Sequence, residues 1–215
     1  MEELSEKYPL LKDQNVPRET FIEFEKFIDM LQVRNEKINI ISKDTAKNEI
    51  IRKRHIEDSA QIIEFVDLNS NKIIDIGSGG GLPGIVIAIM IKNMKSFLKV
   101  NLYEKSHHKS SFLRKVSRDL NLNTEVLQKN IFEEQNLDTG TIVARAFKPL
   151  PVVLELVYKN FNSYKNLILF MGKHGEKILE DTLKIWDFDF EKKKSITRED
   201  SFLLNVKNIR KINKN

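Results

Sequence analysis

The sequence predicts an α/β fold built on a parallel sheet, and three observations support this prediction. Five of the eight glycines lie between Gly77 and Gly84, directly after the apolar run 73–76. A second apolar run, 85–91, follows them, which gives the order strand, glycine loop and helix. Strand-like and helix-like segments then alternate along the chain, as is typical of a parallel sheet with helices on both faces.

The first 66 residues are expected to form a helical extension, and residues 67–215 to form the sheet domain. Phe21, Phe24 and Phe27 recur at the spacing of one helix face, which indicates core packing. A second helical stretch is expected from about Thr45, and it carries the basic cluster 52–54.

The sheet domain is expected to contain five parallel strands separated by helices. The predicted strands are 73–76, 97–103, 125–127, 141–144 and 167–170, and the predicted helices are 83–91, 106–120 and 149–158. Two more strands, 186–190 and 202–206, are expected to pair as a hairpin-like edge. Ligands of such sheets bind at the carboxyl ends of the strands, where the chain places Gly77, Glu104 and Arg145.

The composition limits the class of protein. Of the 215 residues, 40% are hydrophobic and 31% are charged, which suits a packed domain rather than a disordered chain. Cysteine is absent, so disulfides, thiolate metal sites and cysteine nucleophiles are excluded. The longest uncharged apolar run, 82–91, is too short to span a bilayer, and we expect a cytoplasmic enzyme without membrane association. The net charge of +5 permits a polyanionic partner.

The glycine loop fits two cofactor patterns. Gly79, Gly81 and Gly84 match G-x-G-x-x-G, a dinucleotide fingerprint. Gly77, Gly79 and Gly81 match G-x-G-x-G, with Asp75 two residues earlier. An acid at that position would repel a pyrophosphate, whereas it would favour the cationic amino group and sulfonium of S-adenosylmethionine.

Two neighbouring residues bear on this choice. Pro83 removes one backbone N–H from the start of the helix, which leaves one donor fewer for a phosphate. Glu104 ends the second strand, where a carboxylate can accept both ribose hydroxyls of either cofactor. We therefore favour S-adenosylmethionine, and an NAD-dependent oxidoreductase stays open as the alternative.

The octapeptide 77–84, GSGGGLPG, closely resembles the loop of the RsmG (GidB) methyltransferases, which methylate a guanine at N7 in small-subunit ribosomal RNA. The other matching segments, in family order, are 39–42, 54–59, 109–120 and 144–147. The resemblance covers most of residues 35–175. It implies a Rossmann-like class I methyltransferase sheet, S-adenosylmethionine as cofactor, and 16S ribosomal RNA or the small ribosomal subunit as partner.

The resemblance also assigns individual cofactor contacts. The positions that match the family's cofactor residues are Gly77, Leu82, Ile131, Phe132 and Arg145. Asp75, Gly79 and Glu104 complete the predicted cofactor site on the arguments given above. The chain departs from the family pattern at Glu104, where aspartate is commoner, and at Ala144, which replaces a serine; 171–173 match only loosely.

Methylation at guanine N7 needs no catalytic residue. N7 is a lone pair exposed on the base edge, and its attack on a methyl group releases no proton. Alignment of donor and acceptor supplies most of the acceleration. The sequence agrees, because it lacks a cysteine for covalent catalysis and lacks a D/N-P-P-Y/F motif after the fourth strand.

RNA is expected to be held mainly through its phosphates by basic residues at the cofactor end of the sheet. The candidate RNA contacts are Arg54, His55, Arg145, Lys148 and Lys173. The pair His107-His108 has no partner at metal-ligand spacing, so no metal site is expected. We expect a monomer. A methyltransferase with a small-molecule acceptor and a non-catalytic RNA-binding module remain open as alternatives.

Overall fold

The computed structural model describes residues 4–12, 14–42, 46–94 and 96–212. Within those ranges the strands are β1 (Lys72–Ile76), β2 (Lys99–Tyr103), β3 (Thr124–Leu127), β4 (Leu137–Asp138), β5 (Thr141–Ala144), β6 (Phe161–Ser163), β7 (Asn166–Met171), β8 (Trp186–Lys194) and β9 (Phe202–Lys211). The helices are α1 (Arg18–Asn35), α2 (Asn48–Ile51), α3 (Asp58–Ala60), α4 (Gly84–Asn93), α5 (His107–Asp119), α6 (Leu150–Asn160) and α7 (Gly175–Thr182). Part of the prediction for the N-terminal region falls on residues 43–45, outside the described residues.

The predicted α/β class is confirmed. Seven strands form one sheet in the order β3-β2-β1-β5-β7-β9-β8, with β1 paired in parallel to both β2 and β5. β9 runs antiparallel to β7 and β8, so the predicted edge hairpin is also confirmed. The short parallel pair β4 and β6 and the helix α7 were not predicted.

The sheet separates two hydrophobic cores. In β1, Ile73 packs into one core, while Ile74 and Ile76 pack into the other, as the two-residue period of a strand requires. The helices α1, α4 and α5 cover the first core, and α6 and α7 cover the second. Side chains of the N-terminal 66 residues therefore share a core with the sheet; the domain boundary after residue 66 stays a prediction.

The second N-terminal helical stretch is a composite helix rather than a regular α-helix. It begins as α2, continues as a π-helix over Arg52–Glu57, returns to α geometry in α3, and ends as a 3-10 helix over Gln61–Phe65. π-helical turns are often found at functional sites. Among the described helices none combines the length and the apolar character needed to cross a membrane.

Candidate functional site

A cleft of about 700 Å³ opens at the carboxyl ends of β1, β2, β3 and β5. Its size lies within the range of about 300–1,000 Å³ that is usual for small-molecule sites. The lining residues that the sequence predicted are Gly77, Gly79, Leu82, Glu104, Ile131, Phe132, Arg145, His55 and Lys148. The topology thus brings most of the predicted site into one place.

The Asp75 carboxylate does not lie in this cleft, and the expected contact with a cationic cofactor is corrected accordingly. The residue is 1% exposed and lies beneath the loop. Its Oδ2 accepts a hydrogen bond of 3.1 Å from the backbone N–H of Gly84, the first residue of α4. A Cβ on Gly84 would lie 2.4 Å from that oxygen, so the glycine permits the close approach. Asp75 therefore holds the loop against the sheet.

Burial also changes the acidity of Asp75. Loss of solvation raises the pKa of its carboxyl group to about 7, and the nearby charge of Glu104 acts in the same direction. The hydrogen bond from Gly84 opposes the shift. Asp75 thus titrates near neutral pH inside the protein.

The backbone donors of the glycine loop are largely used within the protein. Ser78 N–H donates to the Tyr103 carbonyl at 2.9 Å, and Gly81 N–H donates to the Ser78 carbonyl at 2.7 Å. Gly84 N–H is bound to Asp75, and Pro83 has no N–H to offer. A pyrophosphate needs several free N–H groups at such a loop, so this geometry favours a cofactor without phosphate.

Glu104 is fixed as a hydrogen-bond acceptor at the end of β2. Its Oε2 accepts from Gly79 N–H at 3.0 Å, and its Oε1 accepts from Ser106 N–H at 2.7 Å. Each carboxylate oxygen keeps further lone-pair capacity toward the cleft. Two adjacent acceptors held in this way suit the paired hydroxyls of a ribose. A Cβ on Gly79 would meet only the Gly77 carbonyl, at 3.8 Å, so the loop leaves open space beside this acid.

Part of the cleft lining is apolar. Ile131 and Phe132 belong to a 3-10 turn over Ile131–Glu133, whose start is capped by the Asn130 side chain. The Phe132 ring stacks on Phe147, with 5.8 Å between ring centroids and an interplanar angle of 23°. This part of the lining presents flat hydrocarbon surface of the kind that an adenine ring packs against.

The N-terminal region contributes two lining residues that the sequence prediction missed. Ile40 and Ile41 line the cleft, and both of their N–H groups donate to the Asn35 side chain, at 2.8 and 3.0 Å. A Cβ on Gly80 would lie 2.4 Å from Ile40. The segment after α1 therefore packs directly on the glycine loop. The family resemblance of residues 39–42 was the available signal for this contact.

Arg145 joins the sheet to the composite helix. Its Nη2 lies 2.8 Å from Asp58 Oδ2 and donates to the Arg54 carbonyl at 2.6 Å. Nη1 lies 3.5 Å from the Ser59 hydroxyl, and the guanidinium lies 5.4 Å from the centre of the Phe170 ring. Burial lowers the pKa of Arg145, and the Asp58 charge opposes this effect. Two segments matched separately in the sequence, 54–59 and 144–147, thus form one cluster.

A second cavity of about 270 Å³ adjoins the cleft at this cluster. His55, Arg145 and Ala146 line both spaces, whereas Arg54 lines only the smaller one. Ala146 has φ of +49°, a left-handed conformation that is uncommon for a residue with a side chain. Such strained residues are found preferentially at functional sites.

His55 lines the cleft with a half-buried imidazole, and its contact with RNA stays a prediction. Burial, together with the nearby charges of Arg145 and Arg54, lowers the pKa of its imidazole to about 4. The side chain can therefore contribute shape and hydrogen bonding to the cleft, but no positive charge.

Four lysine side chains also line the cleft. They are Lys105, Lys109, Lys129 and Lys148. Lys129 was missed in the sequence, although it follows β3 by two residues and so lies at a carboxyl strand end. Lys173 is exposed and lines neither cavity, and its contact with RNA stays a prediction.

The fold resembles that of two solved proteins, an S-adenosylmethionine-dependent methyltransferase and a protein solved with S-adenosylmethionine bound. A methyltransferase from Aquifex aeolicus superposes with a TM-score of 0.54 at 14% identity, covering 73% of this chain and 92% of that one. A mutant of MtNAS in complex with S-adenosylmethionine gives a TM-score of 0.56 at 14% identity, covering 94% of this chain and 82% of that one. The chain therefore has the Rossmann-like class I methyltransferase fold.

Sequence relatives identify the family. The profile described as GidB, rRNA small subunit methyltransferase G, matches residues 21–203. A ribosomal RNA small subunit methyltransferase G from Pelagibacter ubique is 78% identical over 99% of this chain and 100% of its own length. One from Rickettsia felis is 33% identical over 92% and 98%. This chain belongs to the GidB family, so the predicted enzyme class and cofactor are confirmed and the NAD-dependent oxidoreductase is set aside.

Proposed function

We propose that this protein transfers a methyl group from S-adenosylmethionine to N7 of a guanine in 16S ribosomal RNA. The observation that carries the proposal is one cleft that is lined both by the glycine loop with Glu104 and by four lysines, with Arg145 among its lining residues. The loop with Glu104 forms the cofactor side, and His55, Arg145 and Lys148 form the acceptor side. The relatives are named as small-subunit ribosomal RNA methyltransferases, which supports RNA over a small-molecule acceptor.

The cofactor side offers matched groups for each part of the ligand. Glu104 supplies two anchored acceptors for the ribose, and Ile131 and Phe132 supply an apolar surface for the adenine. Gly77, Gly79 and Leu82 line the rest of the loop side. When bound, S-adenosylmethionine supplies an electrophilic methyl group on a cationic sulfur.

The acceptor side has to position a base without removing a proton from it. Guanine N7 attacks through a lone pair and gains a positive charge, so the reaction needs no general base. Orientation of base and methyl group is then the main contribution of the protein, worth about 7–11 kcal/mol in favourable cases.

The proposed substrate also indicates where in the cell the protein acts. RNA within a small ribosomal subunit places the enzyme in the cytoplasm, and we propose that it acts there as a monomer. Lys105, Lys109, Lys129 and Lys148 would contact phosphates that flank the target base. The helical extension of residues 1–66 contributes Ile40, Ile41 and His55 to the cleft, and so takes part in binding.

A comparison of ribosomal RNA methylation tests the proposal. Small subunits from cells that lack the enzyme are incubated with the protein and S-adenosylmethionine, and the 16S RNA is mapped by mass spectrometry. We expect one additional N7-methylguanine. Transfer to small molecules but not to RNA would point to the alternative acceptor class. Protection against thermal unfolding by NAD and not by S-adenosylhomocysteine would contradict the proposed cofactor.

A further inference from the structure

We propose that Asp58 is a positioning residue, which holds the Arg145 guanidinium at the boundary between the cleft and the second cavity. Asp58 touches neither the glycine loop nor Glu104, and it lines only the second cavity. Its effect on methyl transfer therefore passes through Arg145. This part of the inference rests on the proposed function, whereas the effect on Arg145 itself does not.

Both oxygens of the Asp58 carboxylate are occupied. Oδ2 pairs with Arg145 at 2.8 Å. On the other side, Oδ1 accepts from the hydroxyl of Thr197 at 2.6 Å, from Gln61 at 2.9 Å and from the hydroxyl of Ser195 at 3.3 Å. A carboxylate held at both oxygens cannot rotate, so its position fixes the position of the guanidinium.

The donors to Asp58 come from a segment far away in sequence. Ser195 and Thr197 belong to the connection between β8 and β9, 137 and 139 positions from Asp58. Gln61 strengthens the same junction, because its side-chain oxygen accepts from the backbone N–H of Ile196 at 3.0 Å. Asp58 therefore joins the composite helix, the residue after β5 and the β8–β9 connection at one point.

The other partners of Arg145 cannot replace Asp58. They are the Arg54 carbonyl, the Ser59 hydroxyl and the Phe170 ring, none of which carries a negative charge. The side chains of Arg145 and Asp58 are only 18% and 12% exposed. Removal of the carboxylate would leave a buried guanidinium without a counter-charge, and the guanidinium would then move toward solvent.

The first measurement is independent of RNA. Nitrogen-15 NMR of arginine side chains reports whether a guanidinium group rotates freely. In the wild-type protein we expect separate Nη signals for Arg145, and in Asp58→Asn we expect one averaged signal. The matched control is Asp67→Asn, which removes a carboxylate that is also buried and paired, with Lys165 at 2.8 Å. Unchanged Arg145 signals in Asp58→Asn would overturn the proposal.

The second measurement tests whether Asp58 acts through Arg145. Asp58→Asn is expected to lower kcat/KM for methylation of small subunits about 10- to 100-fold, the usual cost of a lost hydrogen bond to a charged group. In an Arg145→Ala background the same change is expected to cost less than about threefold. An equal loss in both backgrounds would overturn the coupling. Inactivity of the wild-type protein on every RNA would instead contradict the proposed function, while the NMR result would still stand.

Thr197→Val provides a milder variant should Asp58→Asn fail to fold. It removes one donor to Asp58 and leaves the ion pair in place. We expect partial averaging of the Arg145 signals and a loss of activity of about threefold. No change in either quantity would contradict the role given to Asp58.

Discussion

The two sides of the cleft are built in different ways. The cofactor side, which comprises residues 77–84 and Glu104, is held mainly by backbone N–H groups of the loop. Their acceptors are carbonyl and carboxylate oxygens no more than 25 positions away, the separation of Gly79 and Glu104. The acceptor side comprises His55, Arg145 and Lys148, and it is supported from the second cavity by Asp58 and the β8–β9 connection. There, Arg145 bonds to Arg54 across 91 positions. Hydrogen bonds within one strand–helix–strand unit hold most of the first side, whereas contacts between distant segments hold the second.

The largest expected effect comes from a side chain placed in the glycine loop. Gly77 has φ of +72°, and a Cβ there would lie 2.3 Å from the Phe147 ring. Gly77→Val should therefore distort the loop and displace that ring, and we expect affinity for S-adenosylmethionine to fall more than about 100-fold. Calorimetry measures this change. Gly172→Ala is the control, since nothing lies within 4 Å of a Cβ at that position. If both variants bound S-adenosylmethionine equally tightly, the loop would not need a glycine at position 77.

The next effect concerns pH and the acid beneath the loop. Because the folded protein keeps Asp75 protonated up to about pH 7, while its ordinary pKa is 3.8, the free energy of unfolding should fall as pH rises between these values and level off above. Over this pH range the ionisation of Asp75 should lower the free energy of unfolding by up to about 4 kcal/mol. Urea unfolding of the wild type and of Asp75→Asn, from pH 4.5 to 8, measures it. If the free energies of unfolding of the two proteins differed by the same amount at every pH from 4.5 to 8, the raised pKa of Asp75 would be contradicted.

The Glu104 carboxylate should matter for cofactor affinity more than for folding. Glu104→Gln keeps the shape of the side chain but removes the charge that accepts from Gly79 and Ser106. Hydrogen bonds to charged groups contribute about 1.5–3 kcal/mol. We therefore expect the dissociation constant for S-adenosylmethionine, measured by calorimetry, to rise about 10- to 100-fold. The melting temperature of the unliganded protein provides the control, and a change confined to it would place Glu104 outside the ligand site.

The smallest effect is expected from a single lysine on the acceptor side. Lys148→Ala should weaken binding to RNA about threefold and reduce the salt dependence by about one phosphate contact. Filter binding over a range of salt concentrations measures both quantities. Lys177→Ala, an exposed change on α7 away from the cleft, is the matched control. An equal loss in the two variants would mean that charge acts without regard to position.

The sequence predicted the cofactor side well because its signals are local. Apolar runs on both sides of residues 77–84 defined the strand and the helix, and Glu104 followed from the end of β2. The role of Asp75 was misjudged for a three-dimensional reason. Its carboxylate turns under the loop to Gly84, nine positions later, and this direction cannot be read from spacing alone.

The acceptor side was predicted less completely. Arg145 and residues 54–59 were recognised as separate segments, but their contact depends on a composite helix whose π-helical part breaks the usual 3.6-residue period. Ser195 and Thr197 carried no signal at all, because isolated hydroxyl residues in a turn are common. Their importance depends on where the β8–β9 hairpin folds back.

The π-helical turn makes the length of residues 52–57 a constraint in its own right. A π-helix is equivalent to an α-helix with one residue added, and each residue of an α-helix advances the direction of the side chains by about 100°. Deletion of a single residue here would let the helix return to regular winding. It would also rotate Arg54 and His55 away from Asp58 and Ser59, although no contacting side chain had been replaced. Among related proteins, the number of residues in this segment should therefore vary less than their identity.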